Sequence, residues 1–98
     1  MRARRVDANL SDIVDAFRRL GLSVHVTNDA WDLTVGFGGL TMLVEVKDGD
    51  KSPSRGKLTQ AQVKFRETWT GGIRLVQNLD DVFSTAKTLR QWRDKLYR

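Results

Sequence analysis

The stretch WDLTVGFGGLTMLVEVKDG, Trp31 to Gly49, decides how the rest of the chain is read. Two runs of strand-forming residues flank Gly38-Gly39, and both central residues of a type I′ turn need φ > 0, which glycine adopts most easily. A two-residue loop there pairs Phe37 with Leu40, Val35 with Met42 and Leu33 with Val44. On the opposite face Gly36 meets Thr41, Thr34 meets Leu43 and Asp32 meets Glu45. Residues opposed in this way have Cβ atoms roughly 4.5–5.5 Å apart, where like charges repel. Lys47, two residues beyond Glu45, shares its face. One turn and a period of two therefore predict a cluster of Asp32, Glu45 and Lys47. A one-residue bulge would shift the pairing and still leave the three close.

Two carboxylates held together do not both ionise cheaply unless a cation lies between them. Lys47 supplies one, but its ammonium is compact and strongly hydrated. A divalent metal suits the pair better, since Mg²⁺ takes oxygen ligands, keeps several waters, and binds through one or two carboxylates plus a substrate phosphate. Such an ion polarises a phosphodiester and lowers the pKa of a bound water. Lys47 would then orient that water or offset charge on the transition state. The plainer reading is a solvated polar patch at the open end of the hairpin, neutralised by the lysine.

Working outward, Leu10, Ile13, Val14, Phe17 and Leu20 follow helical spacing, and Gly21 stands where that helix would end. LSVHVT (22–27) alternates like a strand, and DLTVGF and LTMLVEVK follow as two more. DGDKSPSRGK (48–57) is a polar loop with the chain's one proline, Pro53. A second helix opens at LTQAQ, with Thr59 as N-cap, Gln62 closing a capping box, and Leu58 placed to staple against Val63. Its expected buried stripe is Ala61, Phe65 and Trp69. GGIRLVQN (71–78) reads as a fourth strand. Asp80 or Asp81 then opens a last helix with Val82, Phe83, Ala86, Leu89, Trp92 and Leu96 on its apolar face. The α-β-β-β-α-β-α order predicts an α/β fold, a mixed four-stranded sheet covered on both faces. Trp31, Trp69 and Trp92 read as core rather than as base-stacking platforms, and His25 as structural.

The 98 residues suit one domain spanning 1–98, with a modest core. Seventeen Lys and Arg against twelve Asp and Glu give +5, which favours polyanions, nucleic acid before membrane. Without cysteine there are no disulfides or thiolate metal sites, and a single histidine argues against a histidine-based zinc site. No segment reaches the ~18 apolar residues of a membrane span, and the basic start lacks the apolar region of a secretion signal. A cytoplasmic location is expected.

The residues also carry a resemblance. Asp32 followed thirteen residues on by Glu45-Val46-Lys47 resembles the PD-(D/E)XK nuclease signature, and the αβββαβ order is similar to that superfamily's restriction-endonuclease-like core. The downstream KLTQAQVKFRETWTGGIRLVQN resembles the VRR-NUC branch, in which an LT-x-x-Q element opens the helix after the motif strand. DANLSDIV is similar to small phage and prophage members that carry an acid on the first helix. The likeness spans about residues 5 to 85. It implies that Asp32, Glu45 and the Val46 carbonyl are metal ligands, that Lys47 is the catalytic lysine, that Asp12 is the first-helix acid, and that Gln62 is the motif glutamine. The family's usual proline before the aspartate is Trp31 here, and Asp12 is one methylene shorter than the usual glutamate. Asp12 also suits a plain early-helix acid, the capping box alone accounts for Gln62, and Asp7 and Asn9 read as residues that cap or precede the first helix.

The resemblance implies a Mg²⁺- or Mn²⁺-dependent endonuclease acting on DNA. Like Holliday junction resolvases, it would be structure-selective for branched DNA and work as a homodimer. The basic residues fall in three groups: Arg2, Arg4 and Arg5 in an N-terminal arm; Lys51, Arg55 and Lys57 in the loop after the motif strand; and Lys87, Arg90, Arg93, Lys95 and Arg98 on the last helix. The first two are the expected phosphate contacts, which position a strand without reading its sequence. The third also suits a solvated helix face. The competing expectation is a catalytically inactive module on the same fold, binding nucleic acid or a protein.

Overall fold

The computed structural model describes residues 8–27, 29–47 and 58–97. Three helices and four strands run in the order α1 (Ala8–Arg19), β1 (Ser23–Val26), β2 (Leu33–Phe37), β3 (Leu40–Val46), α2 (Gln60–Thr68), β4 (Ile73–Val76) and α3 (Leu79–Leu96). The fold is α/β with one mixed sheet of order β1-β2-β3-β4. β1, β2 and β3 form an antiparallel meander, and β4 joins β3 in parallel through the α2 crossover. Among the described residues no helix is long and apolar enough to cross a membrane.

The hairpin register is the one the glycine pair dictates. Gly38 and Gly39 take φ of 56° and 87°, and pairs run from Phe37↔Leu40 to Leu33↔Val44. α1 ends in a Schellman motif: Leu22 N–H bonds Phe17 C=O at 3.1 Å and Gly21 N–H bonds Arg18 C=O at 3.0 Å, with Gly21 at φ 89°.

Alternation along the strands sorts the core. Leu33, Val35, Met42, Val44 and Val76 point to the face covered by α1 and α3, where they pack with Ile13, Phe17, Val82, Ala86 and Leu89. Arg74 shares that face and reaches α3, donating to Ser84 and Thr88 hydroxyls. The N-cap of α3 is Asn78, whose side chain accepts from Asp81 N–H, while Asp81 Oδ2 accepts from Gln77 N–H. The aspartates expected to open this helix thus lie inside its first turn, because Asn78, just ahead of them, already provides the capping oxygen.

Two expected stripes are corrected. α2 has no buried residue: of the expected stripe Ala61 and Trp69 are exposed and Phe65 is half-buried, and Val63 is exposed too. On α3, Val82, Ala86 and Leu89 are buried but Phe83, Trp92 and Leu96 are exposed. Periodicity marks the apolar side of a helix, yet α2 lies over the polar face of the sheet, and on α3 only part of the apolar side meets the core, with Phe83 left on a surface groove beside α1.

Candidate active site

The site lies on the sheet face opposite α1 and α3. Asp32 sits just before β2, where the β2–β3 ladder stops at Leu33↔Val44. Its N–H donates to Val44 C=O at 3.0 Å and its C=O accepts from Thr27 N–H at 2.9 Å, so the neighbouring strands grip it from both sides. Its carboxylate Oδ2 accepts the Val46 N–H at 2.8 Å. That bond brings the acid to the backbone of Glu45-Val46-Lys47, but the expected Asp32–Glu45 strand pair is not formed, because Asp32 N–H bonds Val44 C=O, already the partner of Leu33, and the pairing slips by one residue.

Glu45, near the end of β3, is only 5% exposed. Lys47 Nζ lies 3.3 Å from its Oε2. Its other oxygen, Oε1, is buried with no hydrogen-bond partner among the described residues. Burial, then the Asp32 charge and a proton-sharing contact with Asp32, push the Glu45 carboxyl up to about 7. The Gln62 amide and the Lys47 ammonium pull the other way and lose. Gln62 is near enough to act on this carboxyl, although it closes no hydrogen bond on Oε1.

α2 brings Gln62 there through its cap. Thr59 Oγ1 accepts Gln62 N–H at 3.2 Å, and Gln62 Oε1 accepts Thr59 N–H at 2.9 Å, completing the expected capping box. With its carbonyl oxygen committed to the cap, the glutamine turns its NH₂ group to the site. Capping and site duty are therefore compatible in one side chain.

Asp12 stands apart. It is exposed on α1 and lines a groove with Asp15, Ala16, Arg19, Leu20, Leu79 and Phe83, on the helical side of the sheet. Among the described residues no three His, Cys, Asp or Glu side chains converge as a metal cluster. The expected first-helix ligand is thus not brought to Asp32 and Glu45, because the exposed side of α1 turns it away from the strands. Of the expected phosphate contacts, Arg4, Arg5, Lys51, Arg55 and Lys57 lie outside the described residues. On α3, Arg90 donates to Leu20 C=O at 2.8 Å, capping the end of α1, and lies 5.5 Å from the Phe37 ring centroid. Arg93 stacks over Phe37 and Tyr97. These two arginines hold the hairpin tip against α3.

Sequence reasoning passed over two contributors. Asn9, in the first turn of α1, donates to Lys47 C=O at 3.1 Å and to Gln77 C=O at 3.4 Å, tying the ends of β3 and β4 together beside the site. Trp31 was expected in the core, facing away from Asp32. Instead its indole N–H donates to Thr34 Oγ1 at 3.0 Å, on the site face, and its ring stacks on Phe65 of α2. Residue 31 precedes the strand, so pleat alternation does not govern it. His25 is exposed on β1 and pairs with Thr34 on the same face.

No family model, curated protein or solved structure matches the chain. What the site can do follows from its donors. Two carboxylates, one of them pushed up to about 7 by burial and by its acidic neighbour, stand beside an ammonium and an amide. That set suits a hard divalent cation and an anionic substrate.

Proposed function

We propose that the protein is a metal-dependent DNA endonuclease with a PD-(D/E)XK-type site on a restriction-endonuclease-like core. The observation that carries the reading is Glu45 Oε1, a buried carboxylate oxygen without a hydrogen-bond partner among the described residues, held next to Asp32 and Lys47. A native fold rarely leaves such an atom unsatisfied unless something else is meant to bind it. Asp32, Glu45 and the Val46 carbonyl would hold Mg²⁺ or Mn²⁺, whose oxygen preference fits these donors. The bound ion would supply Lewis acidity toward a phosphodiester and a more acidic water. Glu45 must lose its proton for this, and Asp32, fixed by Val46 N–H, presents its carboxylate in one orientation. Lys47 releases Glu45 to face the scissile phosphate, where its positive charge offsets charge developing in the transition state. Gln62 would position the phosphate or the attacking water through its NH₂ group. Branched DNA, cut by a homodimer with paired sites, is the substrate the resemblance favours.

One observation favours the inactive-module alternative. Among the described residues the site gathers two acids and no third. The test is incubation with linear, flapped and four-way-junction DNA in Mg²⁺, Mn²⁺ or EDTA, with Glu45→Ala and Lys47→Ala alongside. Metal-dependent products abolished in both variants support the nuclease. Binding without product in every lane transfers the assignment to the module.

A further inference from the structure

Three aromatic rings run away from the acid pair. Trp31 stacks on Phe65 with centroids 5.0 Å apart and planes 29° from parallel, and Phe65 stacks on Trp69 at 5.4 Å and 22°. The inner end is chain neighbour to Asp32. Phe65 lies one helical turn beyond Gln62, so α2 sets one side chain over Glu45 and the next over Trp31. Burial does not explain the ladder, because α2 buries no residue and Trp69 is 40% exposed.

Both indoles are locked in orientation. Trp31 N–H is bonded to Thr34, and Trp69 N–H donates to Gly72 C=O at 3.1 Å. With their polar atoms used internally, the rings offer solvent only π surface. Gly71 packs close against the Trp69 indole, and a side chain there would displace the ring: a Cβ would lie 2.8 Å from Trp69 Cζ2. Aromatic faces beside a phosphate-handling site match the chemistry of a nucleobase, and the +5 charge of the chain favours a polyanionic carrier. A paired base keeps its faces inside the duplex stack; an unpaired one exposes them.

We infer that the Trp31–Phe65–Trp69 ladder is a stacking platform for an unpaired base in the DNA strand that enters the Asp32–Glu45 site. The inference rests on the nuclease reading and narrows its substrate to DNA with a single-stranded segment next to the cut, such as a flap, a gap or an open junction.

The test separates the two. Binding of labelled oligothymidine and of a blunt hairpin duplex is measured by fluorescence anisotropy in EDTA, for wild type, Trp69→Ala, Trp69→Phe, Gly71→Val and, as a control on α3, Trp92→Ala. Circular dichroism follows folding, and cleavage of flapped DNA in Mn²⁺ is assayed in parallel. Trp69→Ala should weaken single-strand binding by about tenfold or more, as expected for losing one stacked base. Trp69→Phe should stay within about threefold of wild type, since it keeps a π face. Gly71→Val, which crowds the ring without removing it, should also weaken binding, while Trp92→Ala and all duplex affinities stay unchanged. Loss of single-strand binding in a protein that cuts no DNA would leave the platform standing and remove the nuclease. Wild type that does not bind single strands, folded Trp69→Ala that binds them normally, or equal loss on single strand and duplex would overturn the platform.

Discussion

Asp32 Oδ2 accepts the Val46 N–H at 2.8 Å, so the carboxylate preceding β2 caps the backbone of β3 beside Glu45. A single side chain thereby does two jobs. It satisfies a backbone donor where the ladder ends, and it places negative charge next to a buried acid whose proton it helps to hold. Asp32→Asn separates them, because the amide oxygen still accepts from Val46 while the charge is gone. This variant should fold with stability within about 1 kcal/mol of wild type, the scale of one hydrogen bond. Its Glu45 carboxyl should titrate below about 7, since Asp32 is one of the groups raising it. Carboxyl-carbon NMR reads the titration, and the DNA-cutting assay should show activity lost.

Stability should depend on pH through Glu45. Its folded value is raised from 4.5 to about 7, so between those values the folded state holds more protons than the unfolded state. The slope is therefore negative: the Glu45 contribution is fully present below about 4.5 and is lost as pH rises through about 7. The shift caps the effect on the order of 3 kcal/mol. Urea denaturation in EDTA across this window should show the decline, and Glu45→Gln should flatten it. A wild-type curve that rises steadily from pH 4.5 to 7 would contradict the assignment.

Metal binding and chemistry should come apart at Lys47. Glu45 must be deprotonated to serve as a ligand, so apparent Mn²⁺ affinity should fall about tenfold per pH unit below about 7. Calorimetry should find Glu45→Ala unable to bind. Lys47→Ala should bind Mn²⁺ at least as well as wild type at pH 8, since a competing cation has gone, yet should not cut DNA. Loss of metal binding in Lys47→Ala would show that the lysine holds the site together rather than serving the reaction.

The α2 cap offers a further separation. Thr59→Ala removes an N-cap oxygen and should cost about 1 kcal/mol, leaving the Glu45 titration near its place. Gln62→Ala should cost a similar amount and also raise the Glu45 carboxyl further, because the glutamine amide is one of the two groups lowering it. Thermal denaturation and the NMR titration together distinguish a capping residue from one that also faces the site.

Local rules sufficed wherever neighbours in sequence supply the geometry. The Gly38-Gly39 turn set the hairpin register and with it the nearness of Asp32, Glu45 and Lys47, because a two-residue loop leaves one pairing. Gly21 as a helix stop and Thr59-Gln62 as a capping box are likewise readable within a few residues. What covers each face was a tertiary matter. Asp12 faces a groove on the helical side, Trp31 folds over the acid face, and Asn9 fastens two strand ends it is far from in sequence. Helical and strand periods report which residues share a side, but the long-range packing that buries one side and leaves another in water depends on how α1, α2 and α3 dock on the sheet.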